Sequence, residues 1–196
     1  SEYSGMIDLL IRDIANPNRG DKQYPYMRNF DIYEGHSWAN GMGGYEEGDY
    51  TDSIDEESSS EAMNAWSAIY LWGIATQQQK YIDLGLSLYT IHYNSLRDYY
   101  LDIDATKTDK SGRIYPQSYM EGYYGNYGSI GILFGGRAYY CLHWTSELDA
   151  RQIKGIQLLP LTSAMSSYWS YDPEYAENFY GKMEDGPNKN IDKWND

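Results

Sequence analysis

Cysteine is almost missing from this chain. Cys141 stands alone, so no disulfide can close within it, and no Cys/His spacing suggests a zinc site. Set in an aromatic run, Cys141 reads as a small buried apolar residue rather than a nucleophile. Positive charge is also scarce, with 15 Lys and Arg against 29 Asp and Glu and a net charge of −14. A basic footprint for phosphate is therefore lacking, which excludes nucleic acid, anionic membranes and polyanionic substrates as partners and leaves a neutral ligand as the natural inference. No apolar run approaches the ~18–20 residues of a membrane span. No signal peptide is visible at Ser1, and without a starting Met the chain reads as a mature or excised segment of one domain.

Phenylalanine is rare as well, with 3 Phe beside 23 Tyr, so most aromatic rings carry a polar tip. Such rings suit a wet groove, where one edge stacks and the other hydrogen-bonds. Tyr119, Tyr123, Tyr124, Tyr127, Tyr139 and Tyr140, interleaved with Gly122, Gly125 and Gly128, are expected to build an aromatic wall from loops. Ile130, Ile132, Leu133 and Phe134 among them predict an ordered strand or short helix.

The chemistry-bearing residues concentrate between Asp31 and Trp72. Asp31-Ile-Tyr-Glu-Gly-His-Ser-Trp-Ala39 puts a His, a Tyr, a Trp and two carboxylates in one short segment bracketed by Gly35 and Gly41. Glycines there let the backbone take positive φ and approach another surface closely. Downstream, Glu57 and Glu61 open a helix four residues apart, a spacing that would put them on one face, about 5–6 Å apart at Cβ. Paired carboxylates beside aromatic rings are the equipment of sugar cleavage. The same letters also fit a capping box, Ser58 capping the helix and Glu61 reaching back to a free backbone N–H. Asp49, Asp52, Asp55 and Glu56 lack the EF-hand pattern and read as a solvated acidic loop, not a metal site.

Helical periodicity organises most of the rest. Met6, Ile7, Leu9, Leu10, Ile11 and Ile14 predict a core helix ending at Asn16-Pro17, and Tyr24–Asp31 reads as extended chain lining a surface. Helices over 59–75, loosened at its end by Gly73, and from about Gln77 to Asp98 predict an αα-hairpin, with His92 as a satisfied histidine between helices. Gly155–Ser163 reads as a short apolar run packed between elements, Ser167–Gly181 as one last helix, and 187–196 as a polar tail.

Three motifs in order carry a resemblance. Arg28-x-x-Asp31-x-Tyr-x-Gly-His-Ser-Trp-Ala-x-Gly41, then Glu57-Ser-Ser-Ser-Glu-Ala-x-Asn-Ala65, then Gly155-Ile-Gln-x-Leu-Pro160-Leu-Thr, resemble glycoside hydrolase family 81. The resemblance implies a mainly α fold, part of an (α/α)6 toroid, with residues 1–186 as the C-terminal portion of the catalytic domain and the Tyr/Gly-rich loops as one wall of its cleft. It implies a secreted or cell-surface endo-β-1,3-glucanase that inverts the anomeric centre, needs no cofactor or metal, and takes β-1,3-glucan as its partner. By motif, Glu57 would be the base that activates water and Glu61 the second essential carboxylate, while Asp31, Tyr33, His36 and Trp38 would contact or position substrate.

Two departures stand out. The family usually has Gln before the first glutamate, where this chain has Glu56. The family's general acid, an Asp in an Asn-Asp-His-His-Phe-His-Tyr-Gly segment, has no counterpart here, since His36, His92 and His143 lie in other contexts. Inversion needs an acid and a base ~6.5–9.5 Å apart across the bond, so the missing N-terminal part of the catalytic unit would have to supply the acid. A non-catalytic glucan-binding protein on the same scaffold, or an interaction protein using its Tyr/Gly loops, stands as the alternative.

Overall fold

The computed structural model describes residues 2–39, 41, 55–56, 58–101, 129, 131–134, 137–139, 154–160 and 162–184. Expectations placed on Glu57, the Tyr/Gly segment 115–128, Cys141, His143 and the 187–196 tail lie outside these residues. What is described is mainly helical. No helix among the described residues is long and apolar enough to cross a membrane.

Helix α1 (Ser4–Ala15) forms where periodicity predicts it and stops at Asn16, whose successor, Pro17, disfavours helical backbone before it. The buried side chain of Asn16 closes the turn, donating from Nδ2 to the Tyr24 carbonyl (2.9 Å) and accepting from the Asn18 N–H (3.1 Å). The helix is apolar on more than one side, and only Ile7, Ile11, Ile14 and Ala15 turn toward the core. Met6, Leu9 and Leu10 are exposed (55%, 46% and 59%), which corrects the expectation of a stripe buried throughout.

The segment before Asp31 enters the core rather than only lining a surface. Phe30 is buried and meets Trp66 edge-on, with ring centroids 5.7 Å apart. Phe30–Asp31 (β1) and His36–Ser37 (β2) then pair antiparallel, Asp31 opposite His36. Gly35 (φ +73°) and Gly41 (φ +80°) bracket the motif in the left-handed region, as expected of them. Arg28 ties this hairpin to α1 through the Asp13 carbonyl (3.0 Å) and carboxylate (2.8 Å).

Helices α2 (Ser59–Thr76) and α3 (Gln79–Ser95) form the predicted αα-hairpin, and a π-helical turn (Leu96–Tyr100) ends the second. Gln77, in the left-handed region at φ 56°, caps α2. Two glycines set the crossing. A Cβ on Gly73 would lie 2.5 Å from the Ile82 nitrogen, and one on Gly85 would lie 2.7 Å from the Tyr70 Cα. Glycine costs about 1 kcal/mol of helix propensity at each position, so this close contact, not a loosened end, accounts for Gly73.

Two further expectations are corrected. Asp55–Glu56 is not solvated loop: it forms strand β3, paired antiparallel with β4 (Ile132–Phe134), which pairs in turn with β5 (Arg137–Tyr139). Asp55 and Glu56 are each 1% exposed. Of the strand or short helix expected around Ile132–Phe134, the strand is what forms, as β4. The single last helix is instead two, α4 (Ser163–Trp169) and α5 (Pro173–Glu184). Pro173 suits the first helical position, and Asp172 accepts from the Tyr175 N–H (3.0 Å) as its cap. Trp169, Tyr175 and Phe179 stack where the two helices meet α3 and the turn after it, the Tyr175 hydroxyl donating to the Leu101 carbonyl (3.1 Å).

Candidate active site

The site forms around the N-terminus of α2. Ser58 is its N-cap, the hydroxyl accepting from the Glu61 N–H at 3.4 Å, so the capping half of the capping-box expectation is present. Since α2 begins at Ser59, residue 57 precedes the cap. The expected sharing of one helical face by Glu57 and Glu61 involves a residue outside those described.

What holds this terminus is a clamp from far along the chain. The buried Gln157 carboxamide accepts from the Ser59 N–H (3.1 Å) and the Ser59 hydroxyl (2.6 Å), and donates to the Gly131 carbonyl (3.0 Å). Ser58 and Ser60 hydroxyls both donate to the Ile156 carbonyl (3.1 Å each), and Ser60 also bonds the Leu159 carbonyl. Asn64, one turn on, donates to the carbonyls of Ser60 (2.9 Å) and Pro160 (3.3 Å), and Thr162 bonds its side-chain oxygen. The second and third sequence motifs are therefore the two halves of one structure. Helix N-termini leave N–H groups without intrahelical partners, and here a residue 98 positions away satisfies one of them. Gln157 is the residue positioning the site that sequence reasoning passed over. Its signal was a single amide inside an otherwise apolar run, the kind of buried polar group that requires partners.

Beside the clamp lies a pocket of about 220 Å³ lined by Trp38, Glu56, Ser58, Glu61, Ala62 and Trp66, among others. Of the six residues singled out from sequence, Glu61 and Trp38 line it, and Glu57 lies outside the described residues. Asp31 and His36 pack behind Trp38. One Asp31 oxygen accepts from the N–H groups of Tyr33 (2.8 Å) and Glu34 (3.2 Å), and the other from the Trp38 indole (3.3 Å). Burial pushes the Asp31 carboxyl up, but the Glu34, Tyr33 and Trp38 donors outweigh it and the net shift is downward. His36 sits edge-on to Trp38 with centroids 4.5 Å apart, its Nδ1 2.7 Å from the Ser37 carbonyl oxygen. Burial lowers its pKa. Tyr33 projects fully into solvent from the tip of the hairpin.

A buried polar chain backs the pocket. Trp66 donates from its indole to His92 Nδ1 (3.0 Å), so the expected histidine between helices is satisfied at one ring nitrogen only. The other ring nitrogen, Nε2, lies 3.8 Å from a Glu56 carboxylate oxygen, and Ser37 donates to the second oxygen at 2.9 Å. Burial, then proximity to His36, pushes His92 well below the ordinary imidazole range.

The described residues thus place a glutamate and a tryptophan on one pocket, with a long-range clamp on the glutamate's helix. The sequence model of the glycosyl hydrolase family 81 C-terminal domain matches residues 1–195, and the chain belongs to that family. It is 39% identical to a glucan endo-1,3-beta-D-glucosidase of Acetivibrio thermocellus over 92% of its length and 21% of the relative's. It is 31% identical to glucan endo-1,3-beta-D-glucosidase 2 of Saccharomyces cerevisiae, over 91% and 20%. A glycoside hydrolase family 81 structure from Clostridium thermocellum superposes with a TM-score of 0.71 at 34% identity, over 95% of this chain and 24% of that one. The chain thus spans about a fifth of the length of the curated relatives it matches.

Proposed function

We propose that this chain supplies the base-bearing, C-terminal part of an endo-β-1,3-glucanase catalytic unit. It would hydrolyse internal β-1,3-glucosidic bonds with inversion. Glu57 is assigned the role of activating water and Glu61 that of supporting the base or that water. The general acid would come from sequence outside this chain. Trp38 offers an apolar face to sugar in the pocket, Asp31 and His36 fix its orientation, and Tyr33 is placed to meet glucan beyond the pocket. The observation that carries the reading is the joint presence of Glu61 and Trp38 on one pocket, at the clamped end of α2, in a chain whose relatives are named as glucan endo-1,3-beta-D-glucosidases.

The αα-hairpin is the repeating unit of an (α/α)6 toroid. The exposed apolar residues Leu71 and Ile74 on α2 and Leu86 on α3 are what such a unit would present to further helices. Residues 1–186 are assigned to that catalytic domain, and a polymeric cell-wall glucan implies a secreted or cell-surface enzyme.

The test is proton NMR of the protein with linear β-1,3-gluco-oligosaccharides. Newly formed α-anomer that disappears in Glu57→Gln supports an inverting hydrolase. Binding without new anomers would favour the glucan-binding alternative, and first-formed β-anomer would overturn inversion.

A further inference from the structure

Asn29 lies directly before β1 and lines the pocket with Trp38, Ala39 and Glu61, yet the proposed reaction gives it no part. Its main chain is tied on both sides. The N–H donates to the Ile14 carbonyl near the end of α1 (3.0 Å), and the carbonyl accepts from the Trp38 N–H (2.8 Å). The side chain adds a second grip on the same segment. Nδ2 donates to the Trp38 carbonyl at 3.1 Å and to the Ala39 carbonyl at 3.2 Å. A carbonyl oxygen can only accept, so these two contacts fix which end of the carboxamide faces the chain. The buried Oδ1 has no hydrogen-bond partner in that orientation. Buried polar atoms are ordinarily paired, so the amide is set by what its nitrogen holds rather than by its own full satisfaction.

What the nitrogen holds is the backbone that carries Trp38 and joins it to β3. The Gly41 N–H donates to the same Trp38 carbonyl (2.9 Å), and the Ala39 N–H donates to the Asp55 carbonyl (2.7 Å). Asp31 and His36 orient the Trp38 ring, while Asn29 fixes the main chain from which that ring springs. We propose that Asn29 is a positioning residue for glucan: by holding the Trp38 and Ala39 carbonyls it keeps the Trp38 ring in place against the Glu61 end of α2, and so sets how tightly a glucosyl unit binds in the pocket. This rests on the hydrolase reading given above, in which Trp38 contacts sugar. A contact made equally to bound substrate and to the transition state acts on KM and leaves kcat alone. A merely structural residue acts the other way, because a smaller folded fraction lowers apparent kcat at unchanged KM.

The test is a double-variant cycle in the full-length protein acting on β-1,3-gluco-oligosaccharide. Asn29→Ala removes both side-chain bonds and should raise KM at least about threefold, with kcat within about twofold of the parent. In a Trp38→Ala background the same change should leave KM within about twofold, because the ring it positions is gone. Asn29→Ser, too short to reach the two carbonyls, should repeat the result and stands in if the alanine variant does not fold. A fall in kcat at unchanged KM, or an equal rise in KM with and without Trp38, would overturn the proposal. Near-ultraviolet circular dichroism gives a readout independent of activity. The difference between parent and Asn29→Ala in the tryptophan region should disappear when both carry Trp38→Phe, and a difference that persists would refute the hold on Trp38. A parent that neither binds nor cuts glucan would instead overturn the hydrolase reading, while the dichroism still decides whether Asn29 holds the ring.

Discussion

Replacing Gln157 with leucine probes the clamp directly, because leucine keeps much of the bulk and removes both polar ends. Three buried groups lose their partner: the Ser59 N–H, the Ser59 hydroxyl and the Gly131 carbonyl. Each buried polar group left unsatisfied costs about 1–3 kcal/mol. The Ser59 hydroxyl can rotate toward another acceptor and a carbonyl has a second lone pair, so the lower half of the summed range applies, about 3–6 kcal/mol. That is a large share of the roughly 5–15 kcal/mol that holds an ordinary domain folded. Urea unfolding of Gln157→Leu, Ser59→Ala and the double variant measures it. Removing the Ser59 hydroxyl first leaves one donor fewer to strand, so the double variant should cost less than the two singles combined. A loss below about 1 kcal/mol for Gln157→Leu would mean that water or another side chain replaces the amide, and the clamp would not be what holds the helix end. Turnover should fall further than stability alone explains, since small displacements of catalytic groups cost heavily in rate.

Two further outcomes follow from the packing and from the histidines. Gly85→Ala places a methyl 2.7 Å from the Tyr70 Cα and 2.8 Å from the Trp66 carbonyl oxygen, backbone atoms that cannot swing aside. Overpacking should exceed the roughly 1 kcal/mol gained in helix propensity, giving a net loss of about 2 kcal/mol by thermal unfolding; a stabilised variant would show that the helices separate freely. His92 stays neutral when folded, while the unfolded chain takes up a proton near the ordinary value of 6.5, so stability should fall as pH falls below that value. His92 alone would contribute a slope of up to about 1.4 kcal/mol per pH unit, His36 acts in the same direction, and a flat stability profile from pH 7 to 5 would contradict the buried neutral ring.

The elements legible in the sequence are those built from local information. Helices α1, α2 and α3 follow from periodicity, the Gly35 and Gly41 turns from the need for positive φ, and the Ser58 cap from its place before an apolar run. What sequence reading missed is non-local or hidden by a habit of composition. Asp55-Glu56 looks like solvated loop because two acids in an acidic stretch usually are; it is buried because residues 133 and 134 pair with it. Gly73 looks like a helix loosening because its reason lies on the facing helix at Ile82. The break between α4 and α5, by contrast, was legible: Asp172-Pro173 is a cap followed by a first-position proline. An unbroken aromatic pattern on both sides of it masked the signal.

The same contrast bears on how the site is held. The α2 N-terminus and its neighbours are each fixed by a different distant segment: the serines by residues 156–159, Glu56 on β3 by Ser37 on β2 and by β4, and Trp66, two turns into α2, by His92 on α3. A helix end on a short connection would ordinarily be among the first parts of a structure to fray. Here fraying would break the bonds of Ser58, Ser59 and Ser60 to residues 156–159, so local opening is tied to loss of tertiary structure. Pocket carboxylates must stay within hydrogen-bond reach of the proton they move, and a frayed helix end could not keep them there. Glu56 fits that logic. A buried carboxylate needs donors, and Ser37 supplies one to Glu56 from β2 at 2.9 Å. His92→Ala removes the acceptor of the Trp66 indole and should therefore loosen Trp66, which lines the pocket beside Glu61, even though His92 itself is not among the lining residues.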